Sequence, residues 1–141
     1  MAFRRMWPVL LVGLVFVLAA CDNGGGGGGG GIEVTLADFS VTLGSTSASA
    51  GDVAFDVTND AEQTHEFVVV QTDLAEDALP TDENGDVSEA GEGMEVVDEI
   101  EDIEAATSAS LTVSLDAGSY VLICNLPGHY RQGMHASFTV S

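Results

Sequence analysis

Cys124, His129 and Met134 follow one another at five-residue intervals in the stretch CNLPGHYRQGM. That spacing fits neither the period of two of a strand nor the 3.6 of a helix. Pro127, Gly128 and Gly133 lie between them and mark a looped turn. A loop has little packing reason to space a thiol, an imidazole and a thioether so evenly, so the three are candidate ligands of a bound ion. A fourth candidate, His65, opens the run HEFVVVQ well upstream. One soft thiolate, two imidazoles and a weak thioether form the donor set of a mononuclear copper site. The thiolate overlaps strongly with copper, the imidazoles serve both Cu(I) and Cu(II), and the thioether satisfies neither state fully.

Other chemistries meet the same residues less well. Structural zinc takes four Cys or His ligands, which Cys124 with His65, His129 and His135 could supply, but that leaves Met134 without a reason. Iron–sulfur clusters need more thiolates than the two cysteines of the chain. A nucleophilic Cys–His pair is conceivable, although no third orienting group accompanies it. His135 adjoins Met134 and in an extended segment points the opposite way, so it reads as a surface residue. Met94, in glycine-rich and acidic surroundings, is a poor substitute for Met134.

The elements that must position these ligands are strands. Alternation of apolar and polar residues runs through 32–39, 52–59, 65–71, 109–115, 119–124 and 136–140, each bounded by Gly, Asn, Asp or Pro. The stretch 94–100 is a weaker candidate. About seven short strands in one domain without a long helical pattern point to an all-β sandwich. If strands 65–71 and 119–124 are neighbours, His65 reaches the Cys124 loop at one end of that sandwich.

Between strands, residues 73–104 hold 14 of the acidic side chains and no basic one. The segment reads as a long solvated acidic loop, with one short helix near 73–79. DENGD (82–86) offers oxygen donors, but its spacing departs from the twelve-residue calcium loop.

The first 20 residues read as a signal peptide of the lipoprotein type. Arg4 and Arg5 precede an apolar run from Val9 to Ala20, too short to span a bilayer, which takes about 20 apolar residues. The ending LAAC resembles a bacterial lipobox and makes Cys21 the expected lipidated residue. Residues 21–31 then form a glycine-rich linker, and ten such residues span roughly 17 Å as a flexible coil. Residues 32–141 form the single folded domain. With Cys21 lipidated, Cys124 has no disulfide partner in the chain.

Charge narrows the function further. All 23 acidic residues lie after Cys21, against one basic residue there, Arg131, so the arithmetic 1 − 23 gives −22. Such a surface excludes nucleic acid and direct adsorption to anionic headgroups. It suits a basic protein partner, or an acidic or salty habitat.

Residues 32–141 resemble a cupredoxin, and CNLPGHYRQGM is similar to the C-x4-H-x4-M loop of the rusticyanin and sulfocyanin branch. The resemblance implies a Greek-key sandwich and one type 1 copper ion held by His65, Cys124, His129 and Met134. It also implies a monomeric, non-enzymatic one-electron carrier outside the cytoplasm, here held to the cell membrane by its lipid. The expected docking collar around the His129 ring edge is Leu126, Pro127 and Tyr130. The expected partner is a basic redox protein such as a cytochrome or an oxidase subunit. A copper storage or delivery protein is the alternative, opposed by the closed ligand set and the lack of Met-rich or His-rich tracts. One position departs from the pattern: many cupredoxins carry Asn or Ser after the first histidine, tying the two ligand loops together, and here that residue is Glu66. A carboxylate there favours Cu(II) and lowers the potential.

Overall fold

A computed structural model describes residues 30–141. The proposed signal segment 1–20, Cys21 and linker residues up to 29 lie outside the described residues.

Nine strands form two sheets. In chain order they are β1 (Ile32–Ala37), β2 (Ser40–Leu43), β3 (Ser47–Ala48), β4 (Gly51–Asn59), β5 (His65–Thr72), β6 (Met94–Ile103), β7 (Ser108–Leu115), β8 (Gly118–Ile123) and β9 (His135–Val140). One sheet has the order β2-β1-β4-β7 and the other β3-β9-β8-β5-β6. The expected strands all form, and the short β2 and β3 join them. The first expected strand ends at Ala37, because a turn follows in which Phe39 takes a left-handed φ of 63°.

Period-two alternation builds the interior. Val53, Phe55 and Val57 of β4 point inward and face Phe67 and Val69 of β5, Tyr120 and Leu122 of β8, and Phe138 of β9. Phe55 anchors this layer, with ring centroids 5.3 Å from Phe67 and 5.5 Å from Phe138. Continuous apolar runs mark strands buried on both sides. In β5, Phe67, Val68, Val69 and Val70 are all fully buried, as are Leu122 and Ile123 in β8. Val68, Val70, Val121 and Ile123 therefore point away from the sandwich interior into a second cluster with Leu79, Val87 and Tyr130.

That second cluster corrects the reading of residues 73–104. The irregular part ends at Gly93, and 94–103 is the long edge strand β6, antiparallel to β5. Its exposed Glu95, Asp98, Glu99, Glu101 and Asp102 keep an open sheet edge from pairing with other chains. Nor is the irregular part wholly solvated, since Leu79 and Val87 are buried against the outer face of the sheet. The short helix expected near 73–79 does not form, and those residues make turns. The backbone there is engaged elsewhere: Tyr130 OH donates to the Glu76 carbonyl at 2.9 Å and accepts the Leu79 N–H at 3.0 Å.

Candidate metal centre

The inward parity of three strands carries three of the candidate ligands to one end of the sandwich. His65 shares the inner face of β5 with Phe67 and Val69, and Cys124 extends the inner face of β8 beyond Leu122. Met134 stands just before β9 on the side of Phe138 and Val140. Side chains two apart on a strand share a face, so the same alternation that fills the core aims these donors. His129 is supplied by the loop, just ahead of a single 3-10 turn, Tyr130–Gln132, which Gly133 closes at φ 116°.

The donors converge. Nδ1 of His65 and Nδ1 of His129 are 3.1 Å apart. Sγ of Cys124 lies 3.3 Å from the His129 nitrogen and 3.7 Å from that of His65. Met134 is fully buried, and its backbone is tied to both neighbours: Cys124 N–H donates to its carbonyl at 3.1 Å, and its own N–H donates to the His129 carbonyl at 3.2 Å. Nitrogen and sulfur donors held about 2.0–2.3 Å from one ion stand roughly 3–4 Å from each other, so the spacing fits a single small ion. Nε2 of His65 is buried without a hydrogen-bond partner among the described residues. A proton on that nitrogen leaves the Nδ1 lone pair facing the cluster.

Burial sets the protonation of these donors. It pushes the His65 pKa down, assisted by His129 and opposed by Asp38, which keeps the imidazole in its neutral, ligating form. The same burial pushes the Cys124 thiol up, with the Glu66 and Leu126 amides countering it. A bound cation is what supplies the charge that makes the thiolate favourable.

Glu66 proves to be a tie between the ligand-bearing segments. Its N–H points at Cys124 Sγ at 3.4 Å, and its Oε1 accepts the Asn125 N–H at 2.8 Å. The carboxylate thus spans to the loop that a shorter Asn or Ser would reach differently. Burial raises its pKa, the Asn125 bond opposes this, and Glu99, Glu89 and Glu101 add to the rise.

His135 lies apart from the cluster. It sits on the opposite side of β9 from Met134, half-buried, with Nδ1 3.5 Å from Glu76 Oε1 and its ring 5.3 Å from Tyr130. The four-ligand zinc set of one thiol and three imidazoles is therefore not assembled. Met94 packs at the edge of the outer cluster, also away from the site.

Residues 46–141 match the sulfocyanin (SoxE) domain. The chain belongs to that family. Sulfocyanins are cupredoxins, electron carriers and not enzymes, and His65, Cys124, His129 and Met134 form a set consistent with their type 1 copper. Solved structures share the fold. An auracyanin of Roseiflexus castenholzii matches at a TM-score of 0.56 and 18% identity, over 77% of this chain and 94% of that one. Auracyanin A of Chloroflexus aurantiacus matches at 0.51 and 21%, over 77% and 99%. Reduced rusticyanin matches at 0.53 and 18%, over 77% and 78%. No curated protein matches the chain by sequence.

Around His129 the surroundings differ from expectation at one residue and gain another. Leu126 is half-buried and Pro127 exposed, but Tyr130 is only 5% exposed and belongs to the outer cluster. Its hydroxyl bonds with the 76–79 backbone hold it inward. Phe39, 38% exposed, instead meets His129 edge to face, with centroids 5.8 Å apart. No sequence signal marked Phe39, because it supplies surface and not a ligand, and its place depends on the turn after β1.

Proposed function

We propose that this sulfocyanin-family protein shuttles single electrons on the outer side of a cell membrane, tethered through a lipid on Cys21 and the glycine-rich linker. The observation that carries the reading is the convergence of His65, Cys124 and His129 donors within 4.8 Å, all buried, with Met134 hydrogen-bonded to two of them through its backbone. His65, Cys124, His129 and Met134 would hold copper, which would supply the one-electron Cu(I)/Cu(II) couple.

The protein's own residues account for the rest. The paired strands β5 and β8 of one sheet fix His65 and Cys124, so the ligand set changes little between oxidation states. His65, Cys124 and Met134 are 0% exposed, whereas His129 is 9% exposed. His129 is thus the ligand with access to a partner, and Phe39, Leu126 and Pro127 frame it as a small apolar docking surface. Phe39 holds a left-handed φ that costs a non-glycine residue about 1–2 kcal/mol, which is compatible with a functional placement. The acidic surface would steer a basic redox protein toward this face.

Copper loading with visible spectroscopy tests the core of this reading. The loaded protein should absorb intensely through thiolate-to-copper charge transfer and bleach reversibly with reductant, and Cys124→Ser should be colourless. A colourless adduct of the unaltered protein, or one that gives up copper readily to a second protein, would favour delivery over electron transfer. The tether is tested by fractionation: Cys21→Ser should move the protein from membrane to soluble fractions. Steering requires the transfer rate to a basic partner to fall as salt rises; a flat response removes it.

A further inference from the structure

The acidic segment 76–89 is bonded to the ligand loop along most of its length. Asn125 pairs with the Val87 backbone as a strand neighbour would: its Oδ1 accepts the Val87 N–H at 2.6 Å and its Nδ2 donates to the Val87 carbonyl at 3.0 Å. Asp86 Oδ1 accepts the Gly128 N–H at 2.6 Å. Tyr130 bonds the Glu76 and Leu79 backbone, and the Arg131 guanidinium lies over Gly85, leaving no room for a Cβ there.

The loop has little support of its own between its two ligands. Pro127 offers no N–H, Gly128 holds φ +80°, and His129 N–H to the Leu126 carbonyl closes one turn at 2.9 Å. The acidic segment is better braced. Asp82 Oδ1 accepts the N–H groups of Asn84 and Asp86 at 2.8 and 3.1 Å, and Thr81 bridges Val87 across the turn. Asp86 therefore projects from a tight, self-bonded turn. A carboxylate accepting a backbone N–H makes a strong, short bond.

We propose that residues 76–89 are a clamp that holds the Cys124–His129 loop in its ligand-presenting shape before any metal arrives, with Asp86 and Asn125 as its positioning residues. The proposal rests on the copper reading of the site, but its first consequence concerns the metal-free protein. A loop fixed in advance loses less freedom on binding and holds its donors at one spacing.

Four variants of the full chain decide it: Asp86→Ala, Asn125→Ala, Asp86→Asn and Val87→Ala. Asp86→Asn keeps a side-chain oxygen for Gly128. Val87→Ala trims the outer cluster but keeps the backbone groups that Asn125 binds. In the metal-free protein, amide hydrogen exchange at Gly128 and His129 should quicken at least about tenfold in the two clamp-breaking variants. Chelator competition should show copper binding weakened about tenfold in the same two, with an altered Cu(II) paramagnetic resonance spectrum. Asp86→Asn should stay near the parent in all three readouts, and Val87→Ala should lower only the melting temperature. The clamp is overturned if Asp86→Ala and Asn125→Ala behave like Val87→Ala, or if Asp86→Asn is as defective as Asp86→Ala. Should Asn125→Ala fail to fold, the Asp86 pair decides alone. A parent protein that binds no copper would defeat the functional reading, while the exchange rates would still judge the clamp.

Discussion

At its centre, along β5 and β8, the β3-β9-β8-β5-β6 sheet is buried on both faces, but the two are covered by different means. The inner face meets a second sheet, and its cover is repetitive: Phe55, Val57, Val34 and Leu36 arrive at the strand period. The outer face is covered by Leu79, Val87 and Tyr130 from segments without regular structure. Regular cover satisfies its backbone groups within the ladders. Irregular cover has to satisfy them one at a time, here through Tyr130 OH, Asn125 and Asp86. The inner face sets where His65, Cys124 and Met134 stand. The outer face shapes the loop that delivers His129.

Breaking each cover in turn should separate these roles. Phe55→Ala removes the central ring of the inner layer and should cost about 3–5 kcal/mol in denaturant unfolding. A loss no greater than that of an outer-layer truncation would mean the two covers are energetically alike. Leu79→Ala should cost about 2 kcal/mol, at the low end for such truncations because an irregular segment can settle into the space. No measurable loss would show the segment to be a loose, solvated loop after all. Tyr130→Phe keeps the ring but leaves the Leu79 N–H without its acceptor, at about 1–3 kcal/mol by the same measurement. An unchanged stability would mean water replaces the hydroxyl.

The smallest effect concerns pH. Glu76 Oε2 accepts both the N–H and the hydroxyl of Ser137 at 2.6 Å, and those bonds hold its pKa below the ordinary glutamate value. A depressed folded-state pKa contributes stability above the unfolded value, and that contribution is lost as pH falls through the folded one. Glu76→Gln should therefore lower the melting temperature on the neutral side and converge with the parent in acid, so that the acid limb flattens. A parallel shift of the whole curve would show that the carboxylate's charge is not what ties the segment to β9.

The ligands were legible because copper demands particular donor types, and few residues in this chain supply them. The strands that aim them were legible for a related reason: a face buried against another sheet must be apolar at every second position. The run HEFVVVQ held a further message. Its unbroken valines require cover on both faces, yet the covering residues sit singly among acids, as Leu79 and Val87 do, with no period to announce them. Residues 73–104 therefore read as solvated, from their acidic charge and turn-rich composition. Tyr130 was misplaced likewise, since neighbouring a ligand in sequence does not say which way a ring turns. Phe39 was invisible because its exposure follows from a turn after β1.

What the sequence determined by itself is the donor set, the two-sheet architecture and the surface charge, each fixed by residue type or by a short period. Tertiary structure alone decided that an acidic segment doubles as the cover of an apolar face, that Glu66 ties the Asn125 amide to the first ligand strand, and that Asp86 and Asn125 grip the metal loop. Those are single contacts between residues some 38 to 59 positions apart in the chain. They leave no periodic trace, because each depends on where the backbone of another segment happens to present one N–H or one carbonyl.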